Sequence, residues 1–322
     1  MSNERTMPAD PPAGSGPVFV VGAMRSGTTL MRLMLNRSST LAVPSESHFL
    51  ADLFRRFDLD AVVDASSVDD VIDILSGNLE WSRDWGSDRK ALRARLQAAV
   101  PMNLGALIDQ VFRLETEPTG KPRWGAKTPA HLFQVSRLRL VLPSARFIGM
   151  VRDPRDVFLS IAPREWVGTS SWEVGAYLLR CDRLVNEYHH DGRGDFTAVR
   201  YEDLVLDPEP TLRRVCTFLD LEYEPAMRDF HLDAKDNVQQ WELDIGTHRK
   251  LLRPPDPEDV QRWRREGAKR DIREVEAVTS DAIDWFGYEP SIRKREIVLL
   301  RQRARLRHHL HQRLSRSPQS VG

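Results

Sequence analysis

Several features that would point to a particular protein class are scarce in this sequence. Only two of its 322 residues are cysteines, Cys181 and Cys216, and both lie in apolar patterns, so buried free thiols are expected rather than a disulfide. No apolar stretch approaches the roughly 20 residues that a membrane-spanning helix needs. The polar N-terminal segment, residues 1–16, has no apolar core of the signal-peptide type. These absences favour a cytoplasmic protein.

An excess of charge of one sign is also missing. Lys plus Arg and Asp plus Glu each number 47, so the formal net charge is zero. With no overall field, the composition does not indicate nucleic acid or a membrane as a general partner. Only seven of the basic residues are lysines. A lysine inside a motif is therefore more informative here than an arginine.

Short apolar runs alternate with helical patterns along the chain. We expect strands at 17–22, 41–44, 123–126, 146–151 and 196–200, and helices at 28–35, 47–57, 131–141, 172–188, 210–219 and 271–286. Asp153 and Pro154 form an N-cap with proline at the first helical position. Strands alternating with helices predict an α/β protein, a three-layer α/β/α sandwich with a central parallel sheet.

A glycine-bearing loop, GAMRSGTT at residues 22–29, follows the first strand and opens the first helix. Amides at a helix start and the helix dipole favour an anion at such a place, and glycines let the backbone approach it. A nucleoside triphosphatase loop would carry Lys where Thr28 stands, so the loop is poorly equipped for β- and γ-phosphates with Mg²⁺. It suits a smaller anion, such as one phosphate bearing a sulfuryl group.

The run RSGTTLMR at residues 25–32 resembles the 5′-phosphosulfate loop of the sulfotransferases that use 3′-phosphoadenosine 5′-phosphosulfate. It is most similar to the tyrosylprotein and Golgi-type branch, a pattern that many bacterial enzymes share. Cytosolic sulfotransferases usually carry Lys at the Arg25 position and Trp at the Leu30 position, so the chain departs from them twice. The resemblance implies the P-loop-like sulfotransferase fold. It also implies donor contacts from Arg25, Ser26, Gly27, Thr28 and Thr29.

A second block, IGMVRDPRDVFLS at residues 148–160, is similar to the 3′-phosphate site of the same family. Arg152 ends a strand and can fork onto a phosphate, and Ser160 can donate a hydroxyl hydrogen bond. The alternative is a surface pairing of Arg152 with Asp153 or Asp156.

Two further nucleotide contacts are implied by the resemblance. Tyr201, in RYEDLVLDP at residues 200–208, matches a position that can reach the 3′-phosphate, although a half-buried core tyrosine is an equal alternative. Arg262, in QRWR at residues 261–264, is the expected basic contact near the nucleotide. Its rivals are Arg249, Arg253, Arg264 and Lys269.

The catalytic groups implied by the resemblance are Glu46, Lys127 and Arg25. Glu46 matches the catalytic base of the tyrosylprotein branch, but it could instead be a glutamate at a helix start. Its rival is His48, because other sulfotransferases use histidine as the base; His131 is a weaker candidate. Lys127, in GAKTP at residues 125–129, resembles the lysine that contacts the sulfuryl or bridging oxygen, against the alternative of a solvated loop lysine. No Cys/His cluster has metal-ligand spacing, so no metal is expected.

The implied function is transfer of a sulfuryl group to an acceptor hydroxyl of a small molecule, glycan or lipid, by in-line displacement with a carboxylate base. The alternatives are a P-loop kinase that uses Mg-ATP on a small molecule, and a non-catalytic nucleotide-binding adaptor. The acceptor surface is expected in residues 58–117, 163–172 and 233–259, which are the least family-like segments.

The expected organisation has three parts: a disordered N-terminal tail at 1–16, a sulfotransferase domain at 17–288, and a basic C-terminal helix and tail at 289–322. Inside the domain, 58–120 is a helical insertion and 233–259 a mobile loop. The basic helix carries Leu299, Leu306, Leu310 and Leu314, which can share a face. We expect that face to pack on the domain or in a homodimer, with an acidic membrane surface as the less favoured partner.

Overall fold

The computed structural model describes residues 16–85, 88–162, 170–234 and 249–315. Three predictions lie wholly or largely outside the described residues: the N-terminal tail, the 163–169 part of the expected acceptor surface, and the 235–248 part of the expected mobile loop.

A five-stranded parallel sheet forms the centre of the molecule. Its strands are β1 (Val18–Gly22), β2 (Leu41–Ala42), β5 (Arg123–Lys127), β6 (Arg146–Val151) and β7 (Phe196–Arg200), in the order β2-β5-β1-β6-β7. A separate antiparallel pair joins β3 (Val62–Val63) to β4 (Met102–Asn103). Every residue of the central strand β1 is buried, as an apolar run covered on both faces requires. The register sets Val20 beside Lys127 on one side and Ile148 on the other.

The helices of the described residues surround this sheet. They are α1 (Thr28–Leu35), α2 (Leu50–Arg56), α3 (Val68–Gly77), α4 (Leu79–Asp84), α5 (Arg89–Ala99), α6 (Leu104–Thr116), α7 (Val135–Val141), α8 (Pro154–Ile161), α9 (Ser171–His190), α10 (Tyr201–Leu206), α11 (Pro208–Leu219), α12 (Trp263–Glu266), α13 (Lys269–Val278), α14 (Ser280–Trp285) and α15 (Lys294–Ser315). In the described part of the chain, no helix combines the length and the apolar character needed to cross a membrane.

Two hydrophobic cores lie on opposite faces of the sheet. Alternate residues of β1 divide between them: Phe19 and Val21 join the core that includes α2 to α9 and α13, and Val18 and Val20 join the core with α1, α10 and α11. This division follows from the two-residue period of a strand. The predicted three-layer α/β/α sandwich is thereby confirmed.

Some predicted boundaries are wrong for local reasons. The helix expected at 271–286 is interrupted at Thr279, whose hydroxyl donates to the Val275 carbonyl at 2.8 Å. The helix expected at 47–57 begins only at Leu50. The antiparallel pair β3–β4 was not predicted, because strands of two residues are too short to show a periodic pattern in the sequence.

The two cysteines are buried free thiols, as expected. Burial raises the pKa of Cys181 to about 12 and that of Cys216 to about 11, so neither thiol is ionised near neutral pH.

Candidate active site

The loop between β1 and α1 has a backbone shape that depends on glycine. Gly27 has a φ of 99°, and a Cβ there would lie 2.6 Å from Cδ2 of Tyr201. Ser26 donates its hydroxyl to the Ala23 carbonyl at 2.7 Å, and the Met24 amide donates to the Tyr177 hydroxyl at 2.9 Å. The first bond lies within the loop, and the second connects the loop to α9. Gly27 stands at the N-cap of α1 without a capping side chain, which leaves the first helical amides available for an anion.

Arg152, the residue after β6, is only 9% exposed. Its guanidinium donates to the Asp259 carbonyl at 2.9 Å and lies 4.2 Å from the centre of the Tyr201 ring. Within the described residues, its Nε has no hydrogen-bond partner. Such a buried donor is costly unless a ligand accepts from it.

The expected alternative for Arg152, a surface pairing with Asp153 or Asp156, is not what the structure shows. Asp153 is buried and accepts hydrogen bonds from Nε and Nη2 of Arg155, both at 2.8 Å. It also accepts from the indole of Trp263 at 3.0 Å, while the Trp263 amide donates to Asp156 at 2.8 Å. These bonds fix the segment that carries Arg262 against the start of α8. Desolvation raises the pKa of Asp156 to about 6.

Arg25 connects the two predicted phosphate sites. Its Nε donates to the Ser160 hydroxyl at 3.1 Å, so the loop after β1 contacts α8 directly. The carbonyl of Arg25 also accepts from Arg152 at 3.4 Å. One loop residue thus touches both the arginine and the serine of the second motif.

A cavity of about 320 Å³ lies between these elements. Eight of the predicted binding residues line it: Arg25, Gly27, Thr28, Thr29, Arg152, Ser160, Tyr201 and Arg262. Ser26 does not; it is buried beneath the loop. The cavity also has an apolar side, formed by Leu30, Leu159, Phe230 and Leu251. A cavity lined by cations and hydroxyls, with an apolar side, suits a flat ring that carries anionic groups.

Arg262 lines the cavity but also donates to Glu266, which raises the pKa of the guanidinium. Of its rivals, Arg253 lines the cavity too, whereas Arg264 pairs with Glu289 at 2.6 Å outside it. Lys269 likewise lies outside it. The side chain of Arg249 lies outside the described residues.

Lys250 also lines the cavity, and it forms an ion pair with Asp259. Lys250 is not among the contacts predicted from the sequence, although the scarcity of lysine is a signal that could have pointed to it.

The three candidate catalytic side chains form a chain of contacts beside the cavity. Lys127, the last residue of β5, is 1% exposed and donates to Oε1 of Glu46 at 2.5 Å. His48 contacts the other carboxylate oxygen through Nε2 at 2.8 Å. Lys127 also donates to the hydroxyl of Thr29 at 3.3 Å, and Thr29 lines the cavity. The alternative of a solvated Lys127 is therefore wrong.

The charge of Lys127 controls the acidity of Glu46. Burial alone would raise the pKa of the Glu46 carboxyl, but the lysine charge and the hydrogen bonds from His48 and Lys127 outweigh it. The pKa is held well below its usual range, so Glu46 is ionised at neutral pH. The alternative of a glutamate at a helix start does not fit, because α2 begins at Leu50.

Two contacts that the sequence did not reveal hold Glu46 in place. The indole of Trp85 donates to the Glu46 carbonyl at 3.1 Å, and the Ser47 amide donates to the Thr128 hydroxyl at 2.8 Å. Each joins residues far apart in the chain, so no local pattern could signal them. His131 lies behind this segment, hydrogen-bonded to the Ser47 carbonyl at 2.9 Å. Burial lowers the pKa of His131 to about 4, which leaves it neutral and structural in character.

Known proteins resemble this chain over most of its length. The Sulfotransferase family profile matches residues 17–225, more than half of the chain. The protein-tyrosine sulfotransferase of Drosophila melanogaster is 24% identical over 287 residues, covering 85% of this chain and 52% of that protein. The protein-tyrosine sulfotransferase 1 of Danio rerio is 25% identical over 284 residues, covering 85% and 72%. The omega-hydroxy-beta-dihydromenaquinone-9 sulfotransferase of Mycobacterium tuberculosis is 31% identical over 134 residues, covering 35% and 34%. The chain thus spans about half the length of the Drosophila protein.

Two solved structures share the fold. The sulfotransferase domain of the Synechococcus PCC 7002 olefin synthase superposes with a TM-score of 0.59 at 19% identity, covering 87% of this chain and 98% of that domain. The sulfotransferase domain from the curacin biosynthetic pathway gives 0.55 at 19% identity, covering 85% and 98%. The central sheet and its phosphate-type loop are those of the P-loop-like sulfotransferase fold, and the profile match extends over most of it. The chain belongs to the sulfotransferase family.

Proposed function

We propose that this protein transfers a sulfuryl group from 3′-phosphoadenosine 5′-phosphosulfate to an acceptor hydroxyl. The observation that carries the proposal is the cavity itself. Its lining brings the loop before α1, with Arg25, together with Arg152, Ser160 and Tyr201. The Lys127–Glu46 ion pair adjoins this lining through Thr29. The catalytic groups would thus lie beside the donor anions.

The two phosphate-type motifs that line the cavity offer different groups to an anion. The loop supplies backbone amides at the start of α1 together with the Arg25 guanidinium, an arrangement that suits the 5′-phosphosulfate. The second motif supplies the guanidinium of Arg152, whose Nε has no partner in the described chain, and the Ser160 hydroxyl. That combination suits a terminal phosphate such as the 3′-phosphate.

In the proposed reaction the acceptor oxygen attacks sulfur in line. The new sulfur–oxygen bond forms as the bond from sulfur to the bridging phosphate oxygen breaks, and 3′,5′-adenosine bisphosphate leaves with the electron pair. Glu46 takes the proton of the acceptor hydroxyl. Lys127 and Arg25 stabilise the charge that develops on the leaving oxygen, because positioned cations act most strongly on charge that appears in the transition state.

Lys127 has two competing partners in this scheme. While it is bound to Glu46, it keeps the carboxylate ionised but weakly basic. When Lys127 turns toward the leaving oxygen, Glu46 loses that stabilisation and becomes a stronger base. The single lysine therefore couples departure of the leaving group to proton removal from the acceptor.

The acceptor we propose is a hydroxyl of a small molecule, glycan or lipid. The names of the relatives give a protein tyrosine and a hydroxylated menaquinone as acceptors of those proteins. The cytoplasmic location, the domain boundaries and homodimer formation remain predictions.

The test has two measurements on the full chain. First, the melting temperature is compared with 3′,5′-adenosine bisphosphate and with Mg-ATP. A ligand at 100 times its Kd stabilises by about 2.7 kcal/mol, so a rise with the bisphosphate alone is expected. Second, purified protein with radiolabelled donor is screened against phenols, alcohols, glycans and lipids, and label should move to at least one acceptor.

The kinase and adaptor alternatives predict different results from the sulfotransferase in the same two measurements. Stabilisation by Mg-ATP alone would support the kinase alternative, which the Thr28 position disfavours. Stabilisation by the bisphosphate with no transfer to any acceptor class would support the adaptor. Either result would overturn the proposal.

A further inference from the structure

A second cavity, of about 710 Å³, lies near Trp263 and shares no lining residue with the first. We call it the basic cleft. Trp263, Ile272 and Gly267 are among its lining residues, together with Ser291. Its ionisable lining residues comprise six cations and a single acid: Arg264, Arg265, Lys269, Arg273, Arg293, Arg295 and Glu296. The proposed sulfuryl transfer uses none of these side chains.

Only part of this positive charge is neutralised. Arg264 pairs with Glu289, and Arg273 pairs with Glu296. In the described ranges, the side chains of Lys269, Arg293 and Arg295 form no salt bridge, and all three are exposed. A concave surface that concentrates cations of this kind attracts anionic groups. Although the formal net charge of the chain is zero, the surface of the basic cleft is therefore positive.

The outer face of α15 continues from the basic cleft. Arg295 lies at its beginning, and Leu299, Gln302 and Leu306 follow at i+4, i+7 and i+11, on the same side of a helix. All four are exposed, with Leu299 at 49% and Leu306 at 62%. Val298 beside them is 64% exposed. At 1.5 Å per residue the stripe from Arg295 to Leu306 is about 16 Å long.

This finding corrects the first of two expectations for the leucine face of the C-terminal helix, which were packing on the domain and packing in a homodimer. The buried face of α15 carries Ala304 and His308 instead. Arg301 anchors that face by donating to the Ala277 carbonyl at 2.6 Å. The side chains of Leu310 and Leu314 lie outside the described residues. Packing inside the domain therefore leaves Leu299 and Leu306 uncovered.

We propose that the basic cleft and the outer face of α15 together dock the protein on an anionic membrane surface. Lipid phosphates bind in the cleft, and Val298, Leu299 and Leu306 enter the boundary between headgroups and acyl chains. Single exposed leucines are ordinary, but three large apolar side chains beside a cluster of cations form the pattern of an interfacial helix.

Charge and apolar surface together favour this occupant over others. A second copy of the chain docked symmetrically would bring the same cations face to face, since a two-fold contact pairs a surface with itself. A soluble polyanion would bind the cations but would leave Leu299 and Leu306 in water. A membrane with acidic headgroups satisfies both parts of the surface.

The test is sedimentation of the full chain with vesicles. One set contains phosphatidylcholine alone and the other phosphatidylcholine with about a third phosphatidylglycerol. Binding is expected to the anionic vesicles only, and to weaken as salt is raised. The charge variant K269E/R295E and the apolar variant L299S/L306S should each lower the partition coefficient by at least about tenfold.

Control variants carry changes of the same kind elsewhere on the surface. K90E/R137E reverses two exposed cations, and L140S removes a leucine that is 71% exposed on α7. Both should bind vesicles like the parent, and all variants should keep its melting temperature.

Three results would overturn the proposal. They are a parent chain that stays in the supernatant with anionic vesicles, variants that bind as well as the parent, and a parent that sediments as a dimer whose formation requires Leu299 and Leu306.

Discussion

The Nζ atom of Lys127 lies 2.5 Å from Oε1 of Glu46, and the two side chains differ in their access to water. The lysine is 1% exposed and the carboxylate 30%. A buried cation thus meets a partly exposed carboxylate, whose other oxygen contacts His48. The first three predictions concern this carboxylate and its partners.

Replacing Glu46 with Gln should slow transfer strongly. The amide cannot accept the proton of the acceptor hydroxyl, and loss of a general base costs ~10²–10⁴-fold. The affinity for 3′,5′-adenosine bisphosphate should change little, because that ligand has no acceptor proton. Two quantities are measured: kcat with the best acceptor of the screen, and the Kd of 3′,5′-adenosine bisphosphate from calorimetry. The control is Glu187→Gln, at an exposed position on α9. Unchanged turnover in E46Q would show that Glu46 is not the base.

His48→Gln separates the rival bases. Gln can still donate a hydrogen bond to Glu46 but cannot take up a proton at neutral pH. If Glu46 is the base, H48Q should lose less activity than E46Q, and the pH dependence of kcat should keep its form. A loss in H48Q equal to or larger than that in E46Q would assign the proton to His48 instead.

The Glu46 carboxylate should also make stability depend on pH. Its folded pKa lies below the ordinary value of 4.5, so its contribution is fully present above about pH 4.5 and is lost as the pH falls toward the folded pKa. E46Q should therefore lower the free energy of unfolding by about 1–3 kcal/mol at neutral pH, less than a fully buried pair would lose. Denaturant titration at several pH values measures this.

The comparison of parent and E46Q also removes most of the contribution of a second acid-sensitive group, His131, on which Glu46 is only the smallest influence. His131 is buried, with its pKa lowered to about 4, and its contribution declines in both proteins as the pH falls below its ordinary value of 6.5. A gap between the two proteins that stays constant down to about pH 3 would contradict the proposed state of Glu46.

Arg152→Lys should weaken binding of 3′,5′-adenosine bisphosphate by at least about tenfold, because lysine keeps the charge but loses the guanidinium fork. Adenosine 5′-monophosphate, which has no 3′-phosphate, should bind both proteins alike. Calorimetry with the two ligands makes the comparison, and Arg137→Lys on the exposed side of α7 is the control. Equal weakening for both ligands would place Arg152 away from the 3′-phosphate.

Gly27→Ala tests whether the loop shape is required. The alanine would have a φ of 99°, and its Cβ would lie 2.6 Å from the Tyr201 ring. We expect a loss of about 1–3 kcal/mol in stability and at least about a tenfold loss in bisphosphate affinity. Gly120→Ala is the matched control, since its φ is 68° and its Cβ would meet nothing within 4 Å. Gly120 also has a positive φ, but its replacement should leave ligand affinity unchanged; an equal loss of affinity would contradict the clash.

Much of the donor site could be predicted because its residues follow one another in the sequence. The loop of residues 22–29 needs a buried strand before it and a helix after it, and both are readable from local periodicity. Arg152 directly precedes the N-cap Asp153 of the short helix α8, and Ser160 lies in the last turn of that helix, so their spacing fixes their relative positions. In each case the structure is determined by interactions between residues that are close together in the sequence.

The catalytic side was less accessible to local reasoning. Glu46 and Lys127 were named through a resemblance, and nothing in either segment shows that the lysine is buried and paired with the carboxylate. Trp85, which holds the Glu46 carbonyl, is 39 residues away from Glu46 in the chain. Thr128, which holds the neighbouring Ser47, is 81 residues away from Ser47. Lys250 was missed for the same reason.

By itself, the sequence determined the parallel α/β layering, the shape of the phosphate-type loop and the identity of the charged groups. These depend on strand and helix periodicity and on backbone preferences at single residues. Only the tertiary structure decided which charges meet, which stay unpaired and which face of α15 remains in water. Those outcomes depend on desolvation and Coulomb interactions between residues far apart in the chain, which the order of residues does not express until the sheet has brought them together.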